Sequence, residues 1–241
     1  MYKLIILKKF IPPIIYNFFL KLFYLKKKYY GLNKLDKKLE KYLDFENGYF
    51  VELGANDGKT QSNTLYYEKY KKWKGALIEA APPNFLKCLA NRSSKTNIFC
   101  NACVSFDYKE KYVEIIYSNL MSIPTDLESD IKDPENHALI GKQFLPSKET
   151  NFKFGAIART LNSILEEASA PKIIDFMSLD VEGAELEVLK GINYNDYQFR
   201  YMCIESRSID KIENYLNNYD YKLIEKISTH DYIFKKNHII Q

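Results

Sequence analysis

The stretch Tyr49-Phe50-Val51-Glu52-Leu53-Gly54-Ala55-Asn56-Asp57-Gly58 decides the fold. Its first five residues form a short run rich in Tyr, Phe and Val, which predicts a strand. Gly54 and Gly58 then allow a tight turn and close approach of backbone to a ligand. A helical pattern follows over residues 61–72, with Ser62 a candidate cap. Strand, glycine loop and helix make the opening unit of a nucleotide-type α/β sheet. The glycines do not follow G-x-G-x-x-G, and Asn56 stands where a second glycine would admit a pyrophosphate. That argues against a nicotinamide dinucleotide.

Strand and helix signals alternate outward from this unit. Ala76-Leu77-Ile78-Glu79 reads as a second strand, Pro83 to Ala90 as a helix and Asn97 to Val104 as a third strand. Ile173 to Leu179 reads as a fourth strand, and a helix from Ala184 to Lys190 stops at Gly191. Tyr201 to Glu205, a helix from Ser208 to Leu216, and late strands at Tyr221 to Lys226 and Asp231 to Lys235 close the chain. Such alternation predicts an α/β, doubly wound sheet, whose ligands bind at the carboxyl ends of the strands. The stretch from Tyr108 to Phe154 breaks the rhythm with Pro, Asp, Ser, Lys and Asn, and reads as a long loop serving as lid or acceptor-binding insertion.

At 241 residues and 28.3 kDa the chain has room for one full α/β core and too little for two large domains. The expected organisation is an arm over 1–30, a helical lead-in over 31–47 and a domain over 48–241 that carries the insertion 108–154. The lead-in shows Leu35, Leu39 and Leu43 at a spacing of four. With 46% hydrophobic and 27% charged residues, the composition excludes wholesale disorder and a multi-span membrane protein. A net charge of +4 does not argue for nucleic acid, and the lysines gather in the arm and on surface helices. Cys88, Cys100, Cys103 and Cys203 are too few for a disulfide scaffold. Cys100 and Cys103 form a CxxC, but no second ligand pair follows, so they read as buried small hydrophobes.

The arm differs from the rest. Lys3, Lys8, Lys9, Lys21, Lys26, Lys27 and Lys28 precede the first acid, Asp36. The uncharged stretch Phe10 to Leu20 holds Pro12-Pro13 and falls short of the ~20 apolar residues of a spanning helix. No small-residue cleavage site marks a secretory signal. The pattern fits an interfacial helix, with Phe18, Phe19, Leu22 and Phe23 in the acyl boundary and lysines on anionic headgroups at the cytoplasmic face of a membrane. The alternatives are a helix packed on the protein's own core and a partner-binding arm.

Two further features carry chemistry. Glu79 ends the second strand, 25 positions beyond Gly54, where a carboxylate accepts hydrogen bonds from ribose hydroxyls. Together with the glycine loop it suits S-adenosylmethionine, whose cationic groups acidic neighbours favour. Ser178-Leu179-Asp180-Val181-Glu182-Gly183-Ala184-Glu185 then crowds Asp180, Glu182 and Glu185 into six positions at a helix start, more acid than capping requires.

On these pieces the chain resembles the FkbM family of S-adenosylmethionine-dependent methyltransferases. The resemblance rests on Phe50 to Gly58, Ile78-Glu79-Ala80-Ala81-Pro82, Asn101-Ala102-Cys103-Val104-Ser105, Arg159-Thr160-Leu161-Asn162-Ser163-Ile164-Leu165 and the Asp180 segment, across roughly residues 48–236. Asn162 departs from the Asp usual in relatives. The resemblance implies a class I methyltransferase fold, Rossmann-like, with a seven-stranded sheet containing one antiparallel strand. It also implies O-methylation, commonly of sugars or secondary-metabolite hydroxyls. Carried over by position, Glu52, Gly54, Ala55, Asn56, Asp57 and Gly58 would hold the methionine portion of the cofactor. Glu79 and Ala80 would lie at the ribose, and Asn101 and Ala102 would border the adenine.

Methyl transfer to a sugar hydroxyl gains from a base or a metal ion. Asp180 and Glu205 end neighbouring strands, and either a divalent metal such as Mg²⁺ held by both or direct base action by Asp180 or Glu182 satisfies that need. His137, in the insertion, is a further candidate to reach the acceptor, whereas His230 and His238 read as bland. The expected protein is thus a sugar O-methyltransferase of glycan, polysaccharide or glycolipid synthesis, peripheral to a membrane. The alternative is an inactive methyltransferase-like scaffold in a glycan-assembly complex.

Overall fold

The computed structural model describes residues 29–239. The arm read over 1–30 therefore lies outside the described residues except for Tyr29 and Tyr30. Among the described residues no helix is long and apolar enough to cross a membrane.

The lead-in gives helix α1 (Leu35–Leu43), shorter than the stretch 33–46 read from the sequence, with Leu35, Leu39 and Leu43 in the core and Asp36 buried beside them. Strand β1 (Tyr49–Leu53) is buried along its whole length, as expected of a parallel strand covered on both faces. Helix α2 (Leu65–Lys71) and β2 (Lys74–Ile78) follow, then α3 (Pro82–Asn91) and β3 (Asn97–Phe99). Helix α2 starts later than the pattern over 61–72 predicts. Ser62 still serves that start, its Oγ accepting from the Leu65 N–H at 3.1 Å.

The run read as one strand over Asn97 to Val104 is two. Pairing with β2 ends at Phe99 opposite Ile78. The chain turns at Cys100-Asn101, and β4 (Ala102–Cys103) leaves for a second sheet. The insertion read as a loop over 108–154 also folds: β5 (Tyr112–Tyr117), β6 (Ile123–Pro124), α4 (Pro134–Gly141) and the start of β7 (Phe152–Arg159) lie in it. Buried Val113 and Ile115 alternate with exposed Glu114, a period-two signal that the polar flanks obscured. The second sheet runs β4-β7-β5-β6.

Helix α5 (Leu161–Glu167), β8 (Ile173–Leu179), α6 (Glu185–Leu189), β9 (Gln198–Glu205), α7 (Ile209–Asn217), β10 (Tyr221–Lys226) and β11 (Asp231–Lys236) complete the chain. The large sheet has the order β10-β11-β9-β8-β1-β2-β3, with only β11 antiparallel to its neighbours. This is the seven-stranded mixed sheet of the class I methyltransferase fold. Alternate side chains serve opposite faces. Val51, Leu53, Met177 and Leu179 pack with residues of α5, α6 and α7. Phe50, Leu77 and Phe176 pack with α1, α2 and Cys88 of α3.

Register sets the site. Leu53 pairs with Ile78 on one side and Leu179 on the other, and Leu179 pairs with Ile204. One step further along each chain stand Glu79, Gly54, Asp180 and Glu205. Glu205 in turn pairs with Asp231. Five consecutive strands thus place Glu79, Gly54, Asp180, Glu205 and Asp231 in one row, and Gly54 and Asp180 straddle the point where strand order reverses.

Candidate active site

The row forms part of the lining of a cavity of about 340 Å³ between the carboxyl ends of the large sheet and the second sheet. Gly54 is in the left-handed region (φ +75°), and a Cβ on it would come 1.7 Å from the Asp180 carbonyl oxygen. Only glycine lets the two loops meet there.

Glu79 joins the loops after β1 and β2. Its Oε2 accepts from the Asn56 N–H at 2.7 Å and its Oε1 from the Ala81 N–H at 2.8 Å. Burial pushes its pKa up to about 7, and the two backbone donors oppose the shift. Each oxygen keeps a second lone pair for a ligand hydroxyl. Ala55, Asn56, Ala80, Asn101 and Ala102, read from the sequence as cofactor contacts, line the same cavity.

Three residues predicted for the cofactor are engaged otherwise. The Glu52 carboxylate accepts from Asn63 N–H, Ser62 Oγ, Thr64 Oγ1 and Arg92 Nη1, all within 3.0 Å. It borders the cavity as the brace of the 61–64 loop. Asp57 and Gly58 lie outside the lining. Asp57 accepts from the Lys59 and Thr60 N–H groups of its own turn, and Gly58 faces Cys88 and Arg92. The sequence reading missed Arg92 because nothing local links it to Glu52, 40 positions away.

On the other side of Gly54 the acids are poorly compensated. The deep setting of Asp180 raises its carboxyl well above the usual range, and Glu205, Glu182 and Glu185 add repulsion. Asp180 keeps an exposed face toward the cavity, so water reaches it and the repulsion is the firmer cause. Glu205 is raised first by burial and then by Glu182 and Asp231, while Arg207 and a hydrogen bond with Asp180 oppose the shift. Asp180 and Glu205 therefore repel one another, and each is harder to ionise than an isolated carboxyl. Asp231 and Arg207 line this wall too, and the sequence reading named neither. Arg207 Nη2 lies 3.5 Å from Glu182 and 3.7 Å from Glu205.

Glu185 points away from the cavity wall. Its Oε1 accepts from the Val181 and Gly183 N–H groups at 3.0 and 3.1 Å, and burial pushes its pKa up to about 8. It shapes the turn that holds Glu182 in the left-handed region (φ 55°). His137 does not line the cavity. Its Nε2 sits 2.9 Å from Glu182 Oε2, in ion-pair range but not aligned as a hydrogen bond. The structure thus sets His137 behind Glu182 rather than at an acceptor. Asn162 accepts from the Asn193 N–H and donates to Glu166, away from the site.

All four cysteines are free. Among the described residues no three His, Cys, Asp or Glu side chains converge as a metal site.

The arrangement offers a cavity with one carboxylate for a diol and a mutually repelling carboxyl pair on its other side. Comparison with known proteins bears on what uses it. No curated protein matches the chain. Among solved structures, M. capricolum TrmK in complex with S-adenosyl-homocysteine is 12% identical, with 83% of this chain and 68% of that chain covered and a TM-score of 0.43. Methyltransferase FkbM from Methylobacillus flagellatus KT is 16% identical, covering 81% of this chain, with a TM-score of 0.45. The chain spans 50% of the length of that protein. Human methyltransferase 10 domain containing protein is 12% identical, with 83% and 78% covered and a TM-score of 0.41. The family model described as the methyltransferase FkbM domain matches residues 52–223. That span runs from the brace of the first loop to the penultimate strand, and the chain belongs to the FkbM methyltransferase family.

Proposed function

We propose that the protein is an S-adenosylmethionine-dependent O-methyltransferase that acts on a sugar hydroxyl in glycan, polysaccharide or glycolipid synthesis. The observation that carries this reading is the row of acids at the strand ends, broken by Gly54. The residues fit the cofactor. Glu79 has free lone pairs for a ribose diol. Asn63, whose Oδ1 is buried without a partner, lines the same cavity and leaves an acceptor for an ammonium donor. The acidic wall favours a cation. When bound, S-adenosylmethionine supplies a methyl group activated by its sulfonium.

The remaining work falls to this chain's own residues. Holding the hydroxyl in line is the larger contribution to rate. The Asp180–Glu205 pair, with at least one member ionised, accepts the hydroxyl proton, and Arg207 limits the charge that accumulates on the pair. Glu182 borders the same space and orients the acceptor. The apolar Val113 and Ile115 of the second sheet form another wall and restrict water. The basic arm over 1–30 is proposed to hold the enzyme on the inner face of an anionic membrane.

Calorimetric titration of S-adenosylhomocysteine into the wild type and Glu79→Ala tests the cofactor. Micromolar binding by the wild type and at least tenfold weaker binding by the variant are expected. Absence of binding by the folded wild type sinks the enzyme and favours the scaffold. Methyl-labelled S-adenosylmethionine with a panel of neutral sugars tests the acceptor. Transfer to an amine nitrogen and to no hydroxyl overturns the O-methylation reading.

A further inference from the structure

Helix α4 is turned inside out. Its histidine, His137, and Ala138 are buried, while Leu139 and Ile140 are 63% and 51% exposed. The helix is fixed to the cavity wall. Ser118 Oγ donates to the Ala138 carbonyl, and Asn119 Nδ2 donates to the Phe144 carbonyl, both at 2.7 Å. Asn119, Leu120 and Met121 line the cavity, and so does Phe144. Phe144 is 40% exposed, so it stands at the rim. Leu32, from the lead-in, also lines the cavity and is 56% exposed. Leu32 and Phe144 are thus exposed apolar residues of the lining, and Leu139 and Ile140 are exposed on the helix fixed to the same wall; exposed apolar groups gathered in this way mark an interaction surface.

The chain's basic segment joins at this rim. Residues 1–28 hold seven lysines and no acid. They meet the described chain at Tyr29, three positions before Leu32. The junction is fastened: the Tyr30 N–H donates to Asp36 Oδ2 at 2.6 Å, and Gly31 bridges Gln61, another lining residue. A surface that binds those lysines is thus tethered to the chain three positions before a residue of the cavity lining. Anionic headgroups attract lysines, and the acyl boundary accepts exposed Leu, Ile and Phe. A polar partner protein would satisfy the charge and leave the apolar rim unmatched.

We propose that the rim formed by Leu32, Leu139, Ile140 and Phe144 docks on an anionic bilayer, so that the cavity opens toward the membrane and receives the sugar of a lipid-linked acceptor. The acceptor half of this statement rests on the sugar O-methyltransferase reading; the docking half does not.

The test is sedimentation of the full chain with phosphatidylglycerol-containing vesicles, beside pure phosphatidylcholine vesicles, for the wild type, Leu139→Ser/Ile140→Ser and Ile224→Ser. Ile224 is exposed on the edge strand β10 and controls for loss of any surface apolar group. The wild type is expected to bind the anionic vesicles preferentially. The Leu139/Ile140 variant is expected to bind them about tenfold more weakly while keeping its S-adenosylhomocysteine affinity, and Ile224→Ser to bind as the wild type does. Equal binding by the Leu139/Ile140 variant overturns the proposal, as does absence of vesicle binding by the wild type. Conversion of a dimer to a monomer by that variant with vesicle binding retained also overturns it, since a second copy then covers the face. A wild type that binds vesicles but no S-adenosylhomocysteine sinks the enzymatic reading and leaves the docking result standing.

Discussion

Two groups of acids near the strand ends have opposite surroundings. Glu52, inside β1, meets Arg92 at 3.0 Å and three further donors, and Arg92 also pairs with Glu68 at 3.0 Å. Asp180 and Glu205, at the ends of β8 and β9, meet Glu182 and Asp231 with only Arg207 to offset them. A fully compensated acid holds structure together. An acid surrounded by its own sign lowers stability, and such an arrangement is retained for what it does to a ligand or a proton. The difference marks Glu52 as a brace of the fold and is what singles out the Asp180 pair as the proposed proton acceptor.

The largest expected effect separates these roles. Asp180→Asn should lower kcat by about 10²- to 10⁴-fold, the range of a lost general base, with Tm unchanged or higher because repulsion is relieved. Glu52→Ala should do the reverse. It leaves Arg92 buried beside a lost partner, at a cost of about 3–5 kcal/mol, read as a fall in the urea midpoint. A stable Glu52→Ala protein, or an Asp180→Asn protein of full activity, would dissolve the distinction.

Glu79 lies between the two extremes and is sharpened by pH. Its pKa is about 7 in the folded chain against 4.5 for the unfolded one. The folded state thus binds more protons between those values, and the stability this group contributes below pH 4.5 is lost as pH rises to 7. A ribose diol donates to the ionised carboxylate, so binding below pH 7 must expel a proton. S-adenosylhomocysteine affinity should therefore rise up to tenfold per pH unit from pH 5 to 7 and then level. In Glu79→Gln it should be weaker and lack this slope. A slope that persists in the variant would assign the proton to another group.

The sequence made some of this contrast visible and hid the rest, for physical reasons. Ile173 to Leu179 is legible as a buried parallel strand because its apolar run is nearly continuous, and Gly54, Glu79, Asp180 and Glu205 stand out because each directly follows or ends such a run. Asp231 was not legible as a site residue. It begins β11, and only antiparallel pairing brings its start opposite Glu205. Arg92 gave no signal, since its partners Glu52 and Glu68 come from other elements. Continuity of apolar residues also concealed the turn at Cys100-Asn101. The second sheet was lost because β4 and β6 are two residues each, β7 is mostly exposed or half-buried, and helix α4 carries apolar residues on the solvent side. Sequence patterns report what faces the core, and a wall of the cavity is built from residues that do not.

The smallest effect concerns His137. It touches Glu182, whose same oxygen lies 3.5 Å from Arg207. Were His137 the group that takes the acceptor proton, His137→Gln would cost 100-fold or more in kcat. Its place behind Glu182 predicts something milder. A glutamine still packs against Glu182, so kcat/KM should fall only about two- to fivefold, mostly through KM, with the pH profile unmoved. His137→Ala removes that contact and leaves Glu182 facing Asp180 and Glu205 beside Arg207. That variant should lose more than His137→Gln, and the gap between them measures how far α4 sets the acceptor wall through a single contact.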